Sequence, residues 1–304
     1  MCKTPIAATV AINKDADVIA VDFPKVASID QTEYWNNEGG ARWTKFAART
    51  ATLFIPLTDT LLRFAAPQPG EHVLDVGCGT ARTTVELAKA VQSGRVMGLD
   101  ISRVILDAAQ ANVARAGADN IELILADAST HAFSERFDLV FSQFGVMFFS
   151  DPTAAFANLR RALKPNGRIA FACWRTLEEN PWFAVPLAEA KRFAPPPQPP
   201  PADAPGPLAF ADAKRVERIL TEAGFSDIAV APHDEQLLMG KLDQLDDAKY
   251  MMSRMGPAGR LLDGVDDNTR RAAEDAIGIA LQKRASEAGM HLGSGIWLVS
   301  ARNR

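Results

Sequence analysis

Residues 73–84 read VLDVGCGTARTT: an apolar run gives way to two glycines, Gly77 and Gly79, before helix-forming residues resume. A strand that passes into a helix across such a turn must bend sharply, and residues without side chains let a ligand approach the backbone at the helix N-terminus. The same alternation then repeats. His72–Val76 predicts a buried strand and 80–92 a helix. Arg95–Asp100 predicts a second strand, and 102–116 a helix that stops at Gly117. A third strand is expected at 121–126 and a fourth at 137–142. A helix follows over 152–163, with Asp151 as its N-cap and Pro152 in its first turn. After a Pro165-Asn166-Gly167 turn, a fifth strand runs over 168–174. Short apolar strands alternating with helices define an α/β fold: a doubly wound, mostly parallel, Rossmann-like sheet. Strands at 226–238 and 295–301 bring the expected count to seven.

Four regions divide the chain. Residues 1–66 are an N-terminal arm, with a hairpin expected around Asn13-Lys14-Asp15, followed by a helical lid. That lid is broken once at Gly39-Gly40 and stopped by Pro67 and Pro69. Residues 67–240 form the core, with a helix at 182–193, a proline-rich connector at 195–207 read as a stiff surface spacer, and a helix at 212–223. Residues 241–291 are a helical insertion, helical over 243–289, that covers the site. Residues 292–304 supply the last strand. The net charge of −4 and a pI near 5.7 argue against nucleic acid as a partner. No apolar run is long enough to span a membrane. Three scattered cysteines suit a reducing compartment, so a cytoplasmic location is expected.

The strand ends carry the chemistry. Asp75 stands two residues before Gly77, where a carboxylate would repel a pyrophosphate and attract an ammonium group. Position 82, where a dinucleotide-binding turn would place its third glycine, is an arginine. Asp100 closes the second strand and can accept hydrogen bonds from two ribose hydroxyls. Asp127 follows the third strand and can accept from an adenine amino group, while the Ala128 backbone can donate to a ring nitrogen. Three carboxylates at three successive strand ends face one crevice. Beyond the fourth strand lie Phe144, Met147 and Phe148, an apolar wall suited to an acceptor molecule. Neither clustered carboxylates for a metal nor an amide-and-aromatic clamp for a nucleobase is found there. None of the four histidines stands out as a catalytic base, although His233 and His291, which flank the insertion, come nearest; the catalytic residues stay unassigned.

Taken in order, DVGCGTA, MGLDIS, LADAS, FDLVFSQFGVMFF and RALKPNGRIAFACW resemble the successive motifs of class I methyltransferases that use S-adenosylmethionine (SAM). They are most similar to the broad group that includes ubiquinone- and menaquinone-biosynthesis enzymes, and the likeness covers about residues 70–176. It implies SAM as cofactor, S-adenosylhomocysteine (SAH) as product, and cofactor contacts at Asp75, Gly77, Gly79, Thr80, Asp100, Ile101, Asp127, Ala128 and Ser142 or Gln143. Tyr34 and Trp43 are implied as contacts from the lid. Ala81 stands where this family often has a third glycine. The expected activity is methyl transfer to a small molecule by metal-independent in-line displacement. A SAM- or SAH-binding protein of the same fold with a regulatory or other non-methyl-transfer role is the alternative, and an NAD-dependent oxidoreductase is disfavoured by Asp75 and Arg82. The partners expected are a small-molecule substrate and, at most, a second copy of the chain.

Overall fold

The computed structural model describes residues 30–195, 201 and 204–304. The hairpin expected around Asn13 and most of the proline-rich stretch lie outside the described residues.

Strand β1 (His72–Val76) is buried at every position, because it is paired on both sides and covered on both faces. Its parallel neighbours are β2 (Arg95–Asp100) and β4 (Phe137–Gln143). With β3 (Ile121–Leu125), β5 (Leu163–Trp174), β6 (Ser226–Gly240) and β8 (Gly289–Arg302), the sheet runs β3-β2-β1-β4-β5-β8-β6. Only β8 in this path is antiparallel to its neighbours. Helices α4 (Arg82–Val91), α5 (Arg103–Ala116) and α6 (Pro152–Ala162) connect the parallel strands and pack over Leu74, Leu99, Phe137, Phe141 and Phe171. The chain moves outward from β1 to β3, then returns to β4 on the other side of β1. That reversal leaves a crevice at the carboxyl ends of β1 and β4.

Three stretches differ from the sequence reading. The N-terminal region forms α1 (Gln31–Asn36), α2 (Glu38–Leu53) and α3 (Ile55–Ala65), so the breaks fall at Asn37 and Phe54. Gly39 and Gly40 lie inside α2. They are needed because α1 folds back on it: a Cβ on Gly40 would stand 2.0 Å from the Trp35 carbonyl oxygen. The insertion is helical as expected, as α9 (Leu245–Met252), α10 (Gly256–Leu261) and α11 (Asp267–Gln282), but it ends earlier and is followed by a two-residue strand β7 (Ala285–Ser286). Strand β8 therefore begins at Gly289, not 295, and pairs with β6 from Arg302 back to Met290. A long ladder of this kind satisfies backbone groups that a helix-to-strand boundary at 295 would leave unpaired. Finally, β5 takes in the expected 165–167 turn as an irregularity: Asn166 has φ +63°, and the register with β4 shifts nearby.

The remaining elements are α7 (Pro181–Ala190) and α8 (Ala213–Glu222). The described end of the proline-rich stretch is docked rather than free, since the Gly206 N–H donates to the Met147 carbonyl at 3.1 Å. Among the described residues no helix is long and apolar enough to cross a membrane.

Candidate functional site

A cavity of about 600 Å³ opens at the carboxyl ends of β1, β2 and β4. Gly77, Gly79, Asp100, Ile101, Asp127, Ala128 and Gln143 line one side of it, as the sequence led one to expect. Phe144, Met147 and Phe148 line another, and Tyr34 and Trp43 reach it from α1 and α2. The remaining three expected contacts, Asp75, Thr80 and Ser142, are not on its wall. Ser142 is fully buried and donates its hydroxyl to the Val76 carbonyl at 2.7 Å, holding β4 against β1. Thr80 presents its carbonyl to the Asn112 side chain at 2.9 Å.

The glycine turn is shaped by protein as much as by any ligand. Gly77 has φ +65°, and a Cβ there would meet the Gly145 Cα at 2.9 Å, so the tips of β1 and β4 touch through two glycines. Gly79 has φ +57° and lies beneath the Trp43 indole nitrogen. Ala81 adopts φ +63° as the residue before α4, a conformation that favours glycine.

Two carboxylates are fixed by backbone donors. The Asp100 oxygens accept from the Gly79 N–H at 3.0 Å and the Ser102 N–H at 2.9 Å, which joins the glycine turn to the end of β2. Burial raises the Asp100 pKa above the usual carboxylate value, opposed by those N–H groups. Asp127 Oδ1 accepts from the Ser129 N–H and hydroxyl at 2.8 and 2.7 Å, which orients the carboxylate at the cavity edge. Helix α1 is pinned to the same rim. Ser102 Oγ donates to the Trp35 carbonyl at 2.6 Å, and the Asn36 side chain bridges the Ile101 carbonyl and the Arg103 N–H.

Asp75 lies behind this wall, fully buried, with Oδ2 accepting from the Thr83 and Thr84 hydroxyls at 2.7 and 2.8 Å. Desolvation pushes its pKa up to about 6 against those two hydrogen bonds. Its Oδ1, like Oε1 of Gln143, is buried without a hydrogen-bond partner in the protein. Of the two, Gln143 lines the cavity and Asp75 does not.

The sequence reading missed much of the wall, including Trp35, Arg42, Phe54, Trp174, Trp182, Phe183 and Arg260. Trp174 carried a signal, since it closes β5 on the same edge as the other site residues. Trp182 and Phe183 sit in the first turn of a helix just beyond. Arg42 and Arg260 had none, because packing between distant helices brings them there. None of the four histidines lines the cavity. His72 stands at the opposite end of β1 from Gly77, 3.2 Å from Glu135. Burial, with help from Arg95, lowers its pKa.

The reversed strand order brings the glycine cradle, Asp100 and Asp127 to one crevice, and the comparisons with known proteins point to methyltransferases. Residues 73–167 match the family described as methyltransferase domain. The chain is 38% identical over 120 residues to aklanonic acid methyltransferase DauC of Streptomyces sp. (strain C5), which covers 39% of this chain and 54% of that protein. It is 35% identical over 113 residues to demethylmenaquinone methyltransferase of Bacillus subtilis (strain 168), 36% of this chain and 48% of that protein. The chain thus spans about half the length of the curated relatives it matches. Among solved structures, a Haemonchus contortus phosphoethanolamine N-methyltransferase 2 in complex with SAM superposes with a TM-score of 0.56 at 16% identity, covering 91% of this chain and 61% of that one. The YcgJ protein of Bacillus subtilis gives 0.53 at 13%, covering 81% and 97%. At such identities these likenesses speak to the fold.

Proposed function

We propose that the chain transfers a methyl group from SAM to a small-molecule acceptor. One observation carries this reading: the cradle built from Gly77, Gly79, Asp100 and Asp127 shares a single cavity with an aromatic chamber, so a nucleoside and a second molecule would meet inside it. Asp100 keeps lone pairs for the ribose hydroxyls after accepting its two N–H bonds. Asp127 and the Ala128 backbone take the adenine edge. Gln143 Oε1, on the cavity wall, is an acceptor in want of a donor, and the ammonium of a methionine group is one. SAM supplies a methyl made electrophilic by a sulfonium; the protein supplies alignment, which contributes much of the rate of an in-line displacement. Helices α1 and α2 serve as a lid and the 241–291 insertion as a cover over the acceptor, which keeps water away. Relatives named for aklanonic acid and demethylmenaquinone support a small molecule as acceptor. The two described cysteines, both free and buried, suit the reducing cytoplasm.

Isothermal calorimetry with SAH and with NAD tests this reading. Binding of SAH, absence of NAD binding, and a loss of about 100-fold in Asp100→Ala are expected, since two hydrogen bonds to a charged group are removed. Binding of NAD in preference to SAH would overturn it.

A further inference from the structure

Away from the cradle, the cavity is walled by rings. Phe144 stacks on Trp174 with centroids 4.0 Å apart and planes 9° apart, and Trp182 stacks on Phe183 at 3.8 Å. Phe54 stands edge-on to both Phe144 and Trp182. Two donors stand among the lining residues beside these rings. Trp182 Nε1 is buried without an acceptor in the protein. Arg260, at the end of α10, lines the cavity with its guanidinium 5.8 Å from the Tyr34 ring centroid, and it has no carboxylate partner among the described residues. Other arginines nearby are committed: Arg42 to Asp263 at 2.8 Å and Arg254 to Glu274 at 2.5 Å.

We propose that the acceptor is a planar aromatic acid, or a comparably acidic phenol or enol, that binds already ionised, with its rings in the aromatic chamber and its negative charge selected by Arg260. This rests on the methyltransferase reading. Flat rings gain most from offset and edge contacts with ring walls. The charge follows from the reaction as well as from the donors. The ionised oxygen contributes its lone pair to the new O–CH3 bond while the S–CH3 bond breaks with its pair left on sulfur, so an anion and a cation become two neutral products. Apolar ring walls strengthen the attraction between those two charges and favour a step that cancels them. An acceptor that arrives ionised needs no proton removed at the site, which fits a cavity on whose wall no histidine stands.

The test is calorimetric and uses probes rather than turnover. SAH affinity is measured first, and the SAH-loaded protein is then titrated with anthraquinone-2-carboxylate, its carboxamide and decanoate. The ring acid is expected to bind at least tenfold more tightly than either comparator. With SAH at saturation, Arg260→Gln should erase the difference between acid and amide while the carboxamide binds as it does to the wild type. Equal affinity for acid and amide in the wild type, decanoate binding as tight as the ring acid, or an acid preference that survives in Arg260→Gln would overturn the proposal alone. A wild-type protein that does not bind SAH would overturn the function reading and this one with it.

Discussion

Asp75→Asn should make the protein more stable at neutral pH. The carboxylate is fully buried and its pKa stands at about 6 against an ordinary 3.8. A carboxyl whose folded pKa lies above its unfolded one is neutral in both states at low pH and costs nothing there. As pH rises past 3.8 the unfolded chain ionises first, and stability falls until the folded group ionises as well, near 6. Above that the penalty is constant, at about 3 kcal/mol for this gap. Asparagine keeps an oxygen that can accept from the Thr83 and Thr84 hydroxyls, and it carries no charge to desolvate. Asp75→Asn is therefore expected to gain about 2–3 kcal/mol at pH 8, or a Tm rise of several degrees, with a gain below about 1 kcal/mol near pH 4. Differential scanning calorimetry of both proteins across that range reads the gain directly. A gain independent of pH, or a variant less stable than wild type at pH 8, would refute the buried-charge reasoning.

Gly77→Ala combines a left-handed φ with a Cβ 2.9 Å from the Gly145 backbone, so urea denaturation should show a loss of about 2–4 kcal/mol; a loss below 1 would mean the two strand tips separate freely. Gly39→Ala places a Cβ 2.4 Å from the Tyr34 ring, a side chain that can move, so Tm should change little while SAH affinity drops several-fold; unchanged affinity would remove Tyr34 from the cofactor's surroundings. Arg42 joins α2 to the loop after α10 through Asp263, which is 41% exposed. A double-mutant cycle with Arg42→Ala and Asp263→Ala should thus give a coupling of no more than about 1 kcal/mol. Because Arg42 also lines the cavity, it should weaken SAH binding more than Asp263→Ala does; equal effects would assign Arg42 to the clasp alone.

The parallel core was legible because each strand carries its own signal. HVLDV and RVMGLD are short apolar runs closed by a carboxylate or a glycine, and Ser102, Asp151 and Gly117 mark helix ends through local hydrogen bonding or backbone conformation. Site residues at strand ends were legible for the same reason, since topology alone sends them to one edge. Long-range packing was not. Gly39 and Gly40 read as a break, yet they permit close contact between two helices. The sheet's final ladder starts at Gly289 because β6 continues to Gly240, which local pattern does not reveal. Asp75 was placed correctly at the end of its strand, but Thr83 and Thr84 turn its carboxylate inward, behind the cavity wall. Arg260 and the Trp182–Phe183 stack reach the site only through the insertion and α7, whose positions relative to the core no motif encodes.

The most direct test of the central claim is a crystal structure of the protein soaked with SAH. The ribose hydroxyls are expected on the Asp100 carboxylate, the adenine beside Asp127 and Ala128, and the sulfur turned toward Phe144 and Trp174. SAH bound elsewhere, or in this cavity with its ribose away from Asp100, would contradict the assignment of the cradle.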